Sequence, residues 1–326
     1  MNLSRSHLLR GAATVAGTAV FPASRAGAAD LQTINVGRAI VTAYAFSVFE
    51  IGNEAKTWDS VGLKLNVASF KGDGQLQQAM TAGAIDFGLG SGPAMGYHSK
   101  GVPATAVAAM YGAPTDMAIV IGNNGIVKSI ADLKGKRLAV TTAGSLTDWL
   151  VHELSRRQGW GPDGIQSVAM GSTDARLAAL QSGEIAGSVQ DQGVGYELQE
   201  QGKGRVFMGF GNFVKQFYTH VIFVRDEVIA KNPDEVQRFL KGWFRTIAWM
   251  KTHKKETVRV AASVVGSSET VVSRLYDEDM GSFSADGSWD VASIEAVRKS
   301  LPQLGITETE PDIKSMYTPR FVPVKI

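Results

Sequence analysis

Four short segments gather the side chains best suited to holding a small molecule. They are Ile40-Val41-Thr42-Ala43-Tyr44, Gly90-Ser91-Gly92-Pro93, Thr141-Thr142-Ala143-Gly144-Ser145-Leu146-Thr147-Asp148 and Gln190-Asp191-Gln192-Gly193. They are rich in Gly and in hydroxyl, amide or carboxyl groups. Glycine lets a backbone come close to a ligand, and hydroxyls and amides donate and accept hydrogen bonds without carrying charge. That is the chemistry of reversible capture. The same residue types also cap helices, so one segment alone has a plain structural explanation. Four in one chain point to a site.

Groups that make or break bonds are not arranged to do so. The chain has no G-x-x-x-x-G-K-[ST] or G-x-G-x-x-G in a strand–helix setting, no G-x-S-x-G elbow and no H-E-x-x-H. It contains no Cys, which excludes a disulfide scaffold, a thiolate zinc site, an iron–sulfur cluster and a cysteine nucleophile. His98, His152, His220 and His253 do not pair at metal-ligand spacing, so each is expected at the surface or in a hydrogen bond. Asp277-Glu278-Asp279 lacks the regular oxygen spacing of a calcium loop and reads as a solvated helix face. The expectation is a binder, not an enzyme, with no cofactor and no metal.

The four segments fall between elements of alternating type. Apolar runs at 34–37, 63–70, 85–90, 104–111, 117–121, 137–142, 167–170, 185–189, 206–210 and 219–224 read as strands. Helices are predicted over 43–57 with Thr42 as cap, 74–82, 93–101, 145–159, 173–182 and 193–201. After Asn232-Pro233 the chain reads as mostly helical, with Glu235 completing a capping box. Trp243, Phe244, Ile247 and Trp249-Met250 at helical spacing are expected in the core. Such alternation implies α/β layering around a mainly parallel sheet, and ligands of these sheets sit beyond the strands' carboxyl ends. Gln77 to Phe87 and Ala179 to Gly187 share one pattern: a short helix, a Gly stop, then Ile opening a strand. The echo lies about 100 residues apart, which implies two similar lobes.

The 326 residues carry 33 Lys and Arg against 31 Asp and Glu, a balance that gives no reason to expect nucleic-acid binding. Residues 1–28 read as a secretory signal: Arg5 and Arg10, an uncharged run over 11–21, then Ala26-Gly27-Ala28 as the cleavage site. Ser6 stands where a twin-arginine signal has its second arginine. No later stretch is apolar enough to span a bilayer, so the expected product is a soluble periplasmic protein, not membrane-spanning and a monomer.

With the segments placed, the chain resembles the substrate-binding proteins of bacterial ABC importers. The nitrate, sulfonate and taurine group, which also includes binders of a thiamine pyrimidine precursor, is the most similar type. The run Leu76 to Leu89, Ile130 to Val140 with Gly144-Ser145, and Ser172 to Gly183 carry the likeness. The resemblance implies a type II periplasmic-binding fold: two α/β lobes with mixed central sheets, joined by two chain crossings that act as a hinge. Lobe one would be 29–114 plus 221–326, and lobe two 115–220. It maps ligand positions onto Thr42, Tyr44, Ser91, Gly92, Thr142, Gly144, Ser145, Thr147 and Asp191. Asp116 and Tyr218 at the crossings and Gln190 beside Asp191 complete the candidates. The expected function is a receptor that captures a small organic anion and delivers it to an inner-membrane permease with its ATPase. A ligand-sensing subunit, or an enzyme similar to the thiamine-pyrimidine synthases, are the alternatives; the latter resemble a suicide enzyme with a cysteine-rich iron motif that this chain lacks.

Overall fold

The computed structural model describes residues 31–326, so the signal expected over 1–28 lies outside the described residues. The first series is β1 (Gln32–Arg38), α1 (Val48–Glu54), β2 (Leu63–Ser69), α2 (Asp73–Thr81), β3 (Phe87–Ser91) and β4 (Ala104–Tyr111). A 3-10 helix over Gly92–Lys100, with Pro93 in its first turn, links β3 to β4. The second series is β5 (Met117–Gly122), β6 (Arg137–Val140), α3 (Leu146–Arg157), β7 (Gln166–Ala169), α4 (Thr173–Ser182), β8 (Gly187–Asp191), α5 (Gln192–Glu200) and β9 (Gly204–Gly209). β10 (His220–Arg225) then leads into α6 (Asp226–Lys231), α7 (Pro233–Met250), α8 (Lys254–Val265), α9 (Glu269–Asp279) and α10 (Val291–Gln303).

The strands form two sheets, ordered β2-β1-β3-β10-β4 and β7-β6-β8-β5-β9. The two orders are one pattern. In each, three parallel strands are followed by an antiparallel one, β10 or β5. That strand is the first the chain builds after crossing from the other sheet. The chain crosses at 112–116 and returns at 210–219, and the crossings are tied: Thr219 donates from its N and Oγ1 to the Gly112 carbonyl at 2.8 and 2.7 Å. The internal echo now has a structural meaning, because α2–β3 and α4–β8 occupy equivalent places in the two sheets. α4 ends where its sequence says it should, with Gly183 at φ 79°, the left-handed conformation that favours Gly.

Two local expectations fail. The helix expected over 43–57 is a 3-10 turn, Tyr44–Phe46, followed by α1, and Thr42 caps neither. The cause is Arg38. Its guanidinium pairs with Glu50 at 2.8 and 2.9 Å and also takes the Phe46 carbonyl at 3.2 Å. At Asn232-Pro233 the helix starts as expected, but Asn232 makes no side-chain cap. Glu235 accepts instead from Gln32 on β1, so a contact distant in sequence replaces the local box.

The core of the first lobe is aromatic. Phe239 on α7 stacks on Phe87 at 4.3 Å and on Trp58 at 5.4 Å, and Trp243 meets Phe49 edge-on at 5.9 Å. Trp243, Phe244, Ile247 and Met250 are buried as expected, and Trp249 is only half-buried. At roughly 1.5–3 kcal/mol for each large apolar side chain, this cluster fixes α7 against the sheet.

Candidate functional site

Between the sheets lies a cavity of about 40 Å³. The first lobe contributes Ala39, Ile40, Ala43 and Phe46 after β1, Asp73 at the start of α2, Ser91 at the end of β3 and His220 at the start of β10. The second lobe contributes Met117, Thr141 with Ser145 to Thr147 at the entry to α3, Arg176 on α4, and Gln190 and Asp191 at the end of β8. Parallel strands of both sheets thus aim their carboxyl ends at one space, where α/β sheets bind ligands.

Five of the candidate residues meet there: Ser91, Ser145, Thr147, Gln190 and Asp191. The Gln190 side chain is fully buried, and neither its Oε1 nor its Nε2 has a partner. Ser145 and Thr147 form a hydroxyl cluster with Thr141 at 2.9–3.0 Å, and Ser145 also accepts from Asp148 N as the cap of α3. Ser91 donates to Asp73 from its N at 2.9 Å and from its Oγ at 2.8 Å.

The remaining candidates lie elsewhere. Thr42 lines a separate interlobe hollow of about 190 Å³ and shares a 2.9 Å hydroxyl bond with Thr173 across the lobes. Tyr44 is buried with its hydroxyl on the Met280 sulfur and its ring edge-on to Phe283, a packing role. Gly92 is pressed against the backbone of Tyr218. Thr142 turns its methyl toward Gly72, and its buried hydroxyl has no partner. Gly144 at φ 75° closes the turn before α3, and its N donates to Asp148. Tyr218 accepts from Asp290 N and packs on Trp289, outside the cavity lining. Asp116 lies beside the cavity rather than on its wall, with Oδ2 at 3.1 Å from His220 Nε2 and Oδ1 unpaired.

Three lining groups were not singled out from sequence. Asp73 opens α2, and Arg176 sits three residues into α4 from Thr173. His220 is buried, its ring tilted at 58° against Phe46 with centroids 4.5 Å apart, and has an unpaired Nδ1. Arg176 is the one a helix count could have found: it follows the Ser172 cap by one turn and so faces the strand ends. Its Nη1 donates to the Val189 carbonyl at 2.5 Å and its Nη2 to Thr173 Oγ1 at 3.3 Å, while Nε has no partner.

Burial dominates the electrostatics. It raises the Asp73 carboxyl, against the opposing bonds from Ser91. It pushes Asp191 up to about 6, with Asp116 adding repulsion and His220 and Arg176 offsetting part of it. It lowers the Arg176 guanidinium to about 10, so that group stays charged at neutral pH. Asp279 corrects the reading of 277–279 as a solvated face. It is buried at the end of α9 with both carboxyl oxygens unpaired, and burial followed by Asp116 pushes it up to about 8. Among the described residues, no three His, Cys, Asp or Glu side chains are placed to hold a metal ion.

Contacts between the lobes surround the cavity. Trp149 Nε1 and Arg156 Nη2 both donate to Gln303 Oε1, at 3.1 and 2.7 Å. On the other flank, Tyr196 donates to Glu278 at 2.8 Å and Glu197 accepts from Ser267 at 2.7 Å.

Comparison with known proteins agrees with this architecture. The family model described as "NMT1/THI5 like" matches residues 58–257. The chain is 29% identical over 219 residues to a protein of Brucella abortus (strain 2308) named as a binding protein, covering 65% of each. It is 26% identical over 193 residues to 4-amino-5-hydroxymethyl-2-methylpyrimidine phosphate synthase of Candida albicans (strain WO-1), covering 54% of each. The matches thus span about half to two thirds of these relatives' own lengths. The structure of the alkanesulfonate-binding protein SsuA from Xanthomonas axonopodis pv. citri, bound to MOPS, matches with a TM-score of 0.73 at 18% identity, over 87% of this chain and 96% of that one. The fold is therefore that of the periplasmic binding proteins.

Proposed function

The chain belongs to the NMT1/THI5-like family, and we propose that it is a solute receptor that closes its two lobes around one small molecule. We propose further that it works in the periplasm and hands the solute to an inner-membrane ABC permease with its ATPase. The observation that carries the reading is the cavity wall itself. Gln190, Arg176 and His220 converge on it from both lobes, buried, and each leaves a polar atom without a partner. Such atoms cost about 1–3 kcal/mol each when left unsatisfied. A ligand bonded to both lobes relieves that cost only when the lobes are together, so its binding favours closure. No helix among the described residues is long and apolar enough to cross a membrane.

Thermal-shift screening of the protein against a solute library tests the reading. A solute at about 100 times its Kd adds about 2.7 kcal/mol to stability. The bound solute should be recovered unchanged; turnover beyond one equivalent would favour the enzyme reading that the Candida albicans relative suggests. Gln190→Leu gives a sharper check. Leucine fills similar space and carries no unpaired polar atom, so the ligand-free protein should be as stable as the parent or more so. Affinity for the solute should fall about tenfold or more through the loss of two neutral hydrogen bonds. If the variant binds normally by isothermal titration, the ligand does not reach Gln190.

A further inference from the structure

We propose that Thr42 is a positioning residue that couples closure to the cavity wall. Its hydroxyl, carried by lobe one, bonds to Thr173 of lobe two when the lobes meet. That bond helps hold the lobes together before any solute is bound, and through Thr173 it fixes the Arg176 guanidinium on the wall. This rests on the receptor reading above and concerns how the same cavity is assembled.

Thr42 has no task inside its own lobe. It caps neither the 3-10 turn at Tyr44–Phe46 nor α1. It is half-buried and lines the interlobe hollow, whereas Ile40 and Ala43 beside it line the cavity. Among the described residues its hydroxyl makes one bond, the 2.9 Å contact with Thr173 Oγ1. With the lobes apart, water serves that hydroxyl instead. The bond is therefore a difference between the closed and open forms, which is what a contact needs in order to bias their equilibrium.

Thr173 is placed to pass the contact on. Ser172 caps α4 by accepting from Ala175 N at 3.3 Å, which leaves the next hydroxyl free for other partners. Thr173 Oγ1 accepts from Arg176 Nη2 at 3.3 Å, one turn along the helix. A guanidinium only donates, so the Thr173 proton stays available for Thr42. Arg176, Thr173 and Thr42 thus form a chain in which each bond polarises the next. Arg176 is 1% exposed, and the other bond of its guanidinium goes to the Val189 carbonyl on β8. Two anchors hold its plane. One is fixed in the sheet of lobe two; the other is a hydroxyl that is free to turn toward the hollow unless Thr42 holds it. The other interlobe bonds described above, those to Gln303, Glu278 and Glu197, join side chains that do not line the cavity. Of these contacts, Thr42–Thr173 alone is one bond away from a lining side chain.

The test uses the full chain without solute. The chain has no Cys, so Gln78→Cys on α2 and Ala178→Cys on α4, both exposed, take spin labels at those two places alone. Pulsed electron spin resonance then measures the shares of near and far lobes, and the parent should show both. Thr42→Val keeps the shape and loses the hydroxyl. It should lower the ratio of near to far about two- to tenfold, the range for one neutral hydrogen bond. Thr42→Ser keeps the hydroxyl and should stay close to the parent. Thr173→Val should lower the ratio too, and adding Thr42→Val to it should lower it no further, because both hydroxyls serve one bond. If Thr173→Val, at the more buried position, does not fold, the Thr42 series decides alone. Arg176 supplies the readout that a plain lobe contact would not move. Rotation about its Nε–Cζ bond exchanges Nη1 with Nη2 and is read by nitrogen-15 NMR, with the signal assigned by its loss in Arg176→Lys. That rotation should be faster in Thr42→Val than in the parent and in Thr42→Ser. The proposal is overturned by a parent with far lobes only, by a ratio that Thr42→Val leaves unchanged, or by a Thr42→Ser ratio as low as that of Thr42→Val. Unchanged Arg176 rotation beside a lowered ratio overturns the positioning role. The receptor reading fails separately, if no solute in the library shifts the melting temperature, and it stands if a solute binds while the Thr42 variants behave as the parent.

Discussion

Asp279→Asn is expected to stabilise the protein, by an amount that grows with pH. The carboxyl lies buried at the end of α9, near Asp116 and Asp191; neither oxygen meets hydrogen-bond geometry, and the nearby Tyr111 hydroxyl offsets only part of the rise. In the unfolded chain it titrates near its ordinary 3.8; in the folded protein burial, then Asp116, raises it to about 8. The sign follows directly. Between those two values the folded state keeps a proton that the unfolded state has released. Unfolding is therefore favoured by about 1.4 kcal/mol for each pH unit, and the full penalty is reached above the folded value. Asparagine cannot ionise and escapes the penalty. The advantage of the variant should grow by about 3 kcal/mol from pH 5 to pH 7.5 and level off above about pH 8.5. Guanidinium unfolding of both proteins across that range measures it. A difference that stays flat with pH would mean that Asp279 ionises freely in the folded protein and has a counter-charge or water beside it.

The same residue shows where sequence reading stops. Asp277 and Glu278 are exposed or half-buried and pair with Lys254 and Arg274, as a solvated helix face should. Asp279 is one position further on and points into the protein, because α9 ends there against the crossing at 112–116. Nothing local marks that turn inward. What was legible had local causes. Gly183 stops α4 because a left-handed residue must, and Pro233 starts α7 because its ring suits a first turn. The repeated helix–Gly–Ile pattern gave two lobes because each copy builds the same piece of a sheet. The segments at Ser91, Ser145 to Thr147 and Gln190-Asp191 were legible as strand–helix turns facing a common space. What was not legible depends on partners far away in sequence. Arg38 shortens α1 by taking the Phe46 carbonyl, Thr42 is claimed by Thr173, and Tyr218 is claimed by Asp290. His220 is buried only because β10 returns to the first sheet beside β3.

Gly92→Ala is the substitution expected to cost most, and it separates two explanations of one residue. From sequence, Gly92 is a position where the backbone is expected to come close to a ligand. In the structure the close approach is to the protein itself. A Cβ at position 92 would lie 2.2 Å from the Tyr218 carbonyl oxygen and 2.9 Å from a Val297 methyl. The first neighbour is backbone and cannot rotate away. It is also held in place: Gly92 N donates to the Thr219 carbonyl at 3.3 Å, and His220 pairs with Ser91 across β3 and β10. Room for one methyl can be made only by moving the return crossing off the sheet. That movement would strain the Thr219–Gly112 bonds and the Asp116–His220 contact together. Overpacking a well-filled site usually costs about 1–3 kcal/mol, and a clash with fixed backbone belongs at or beyond the upper end. A loss of about 3 kcal/mol should lower the melting temperature of the ligand-free protein by roughly 5 °C for a chain of this size. The ligand explanation makes the opposite demand. It requires that the variant melt like the parent in the absence of solute and lose affinity. A Gly92→Ala protein with unchanged melting and weakened binding would therefore return Gly92 to the ligand site, because a methyl cannot enter a 2.2 Å gap to backbone without a stability cost.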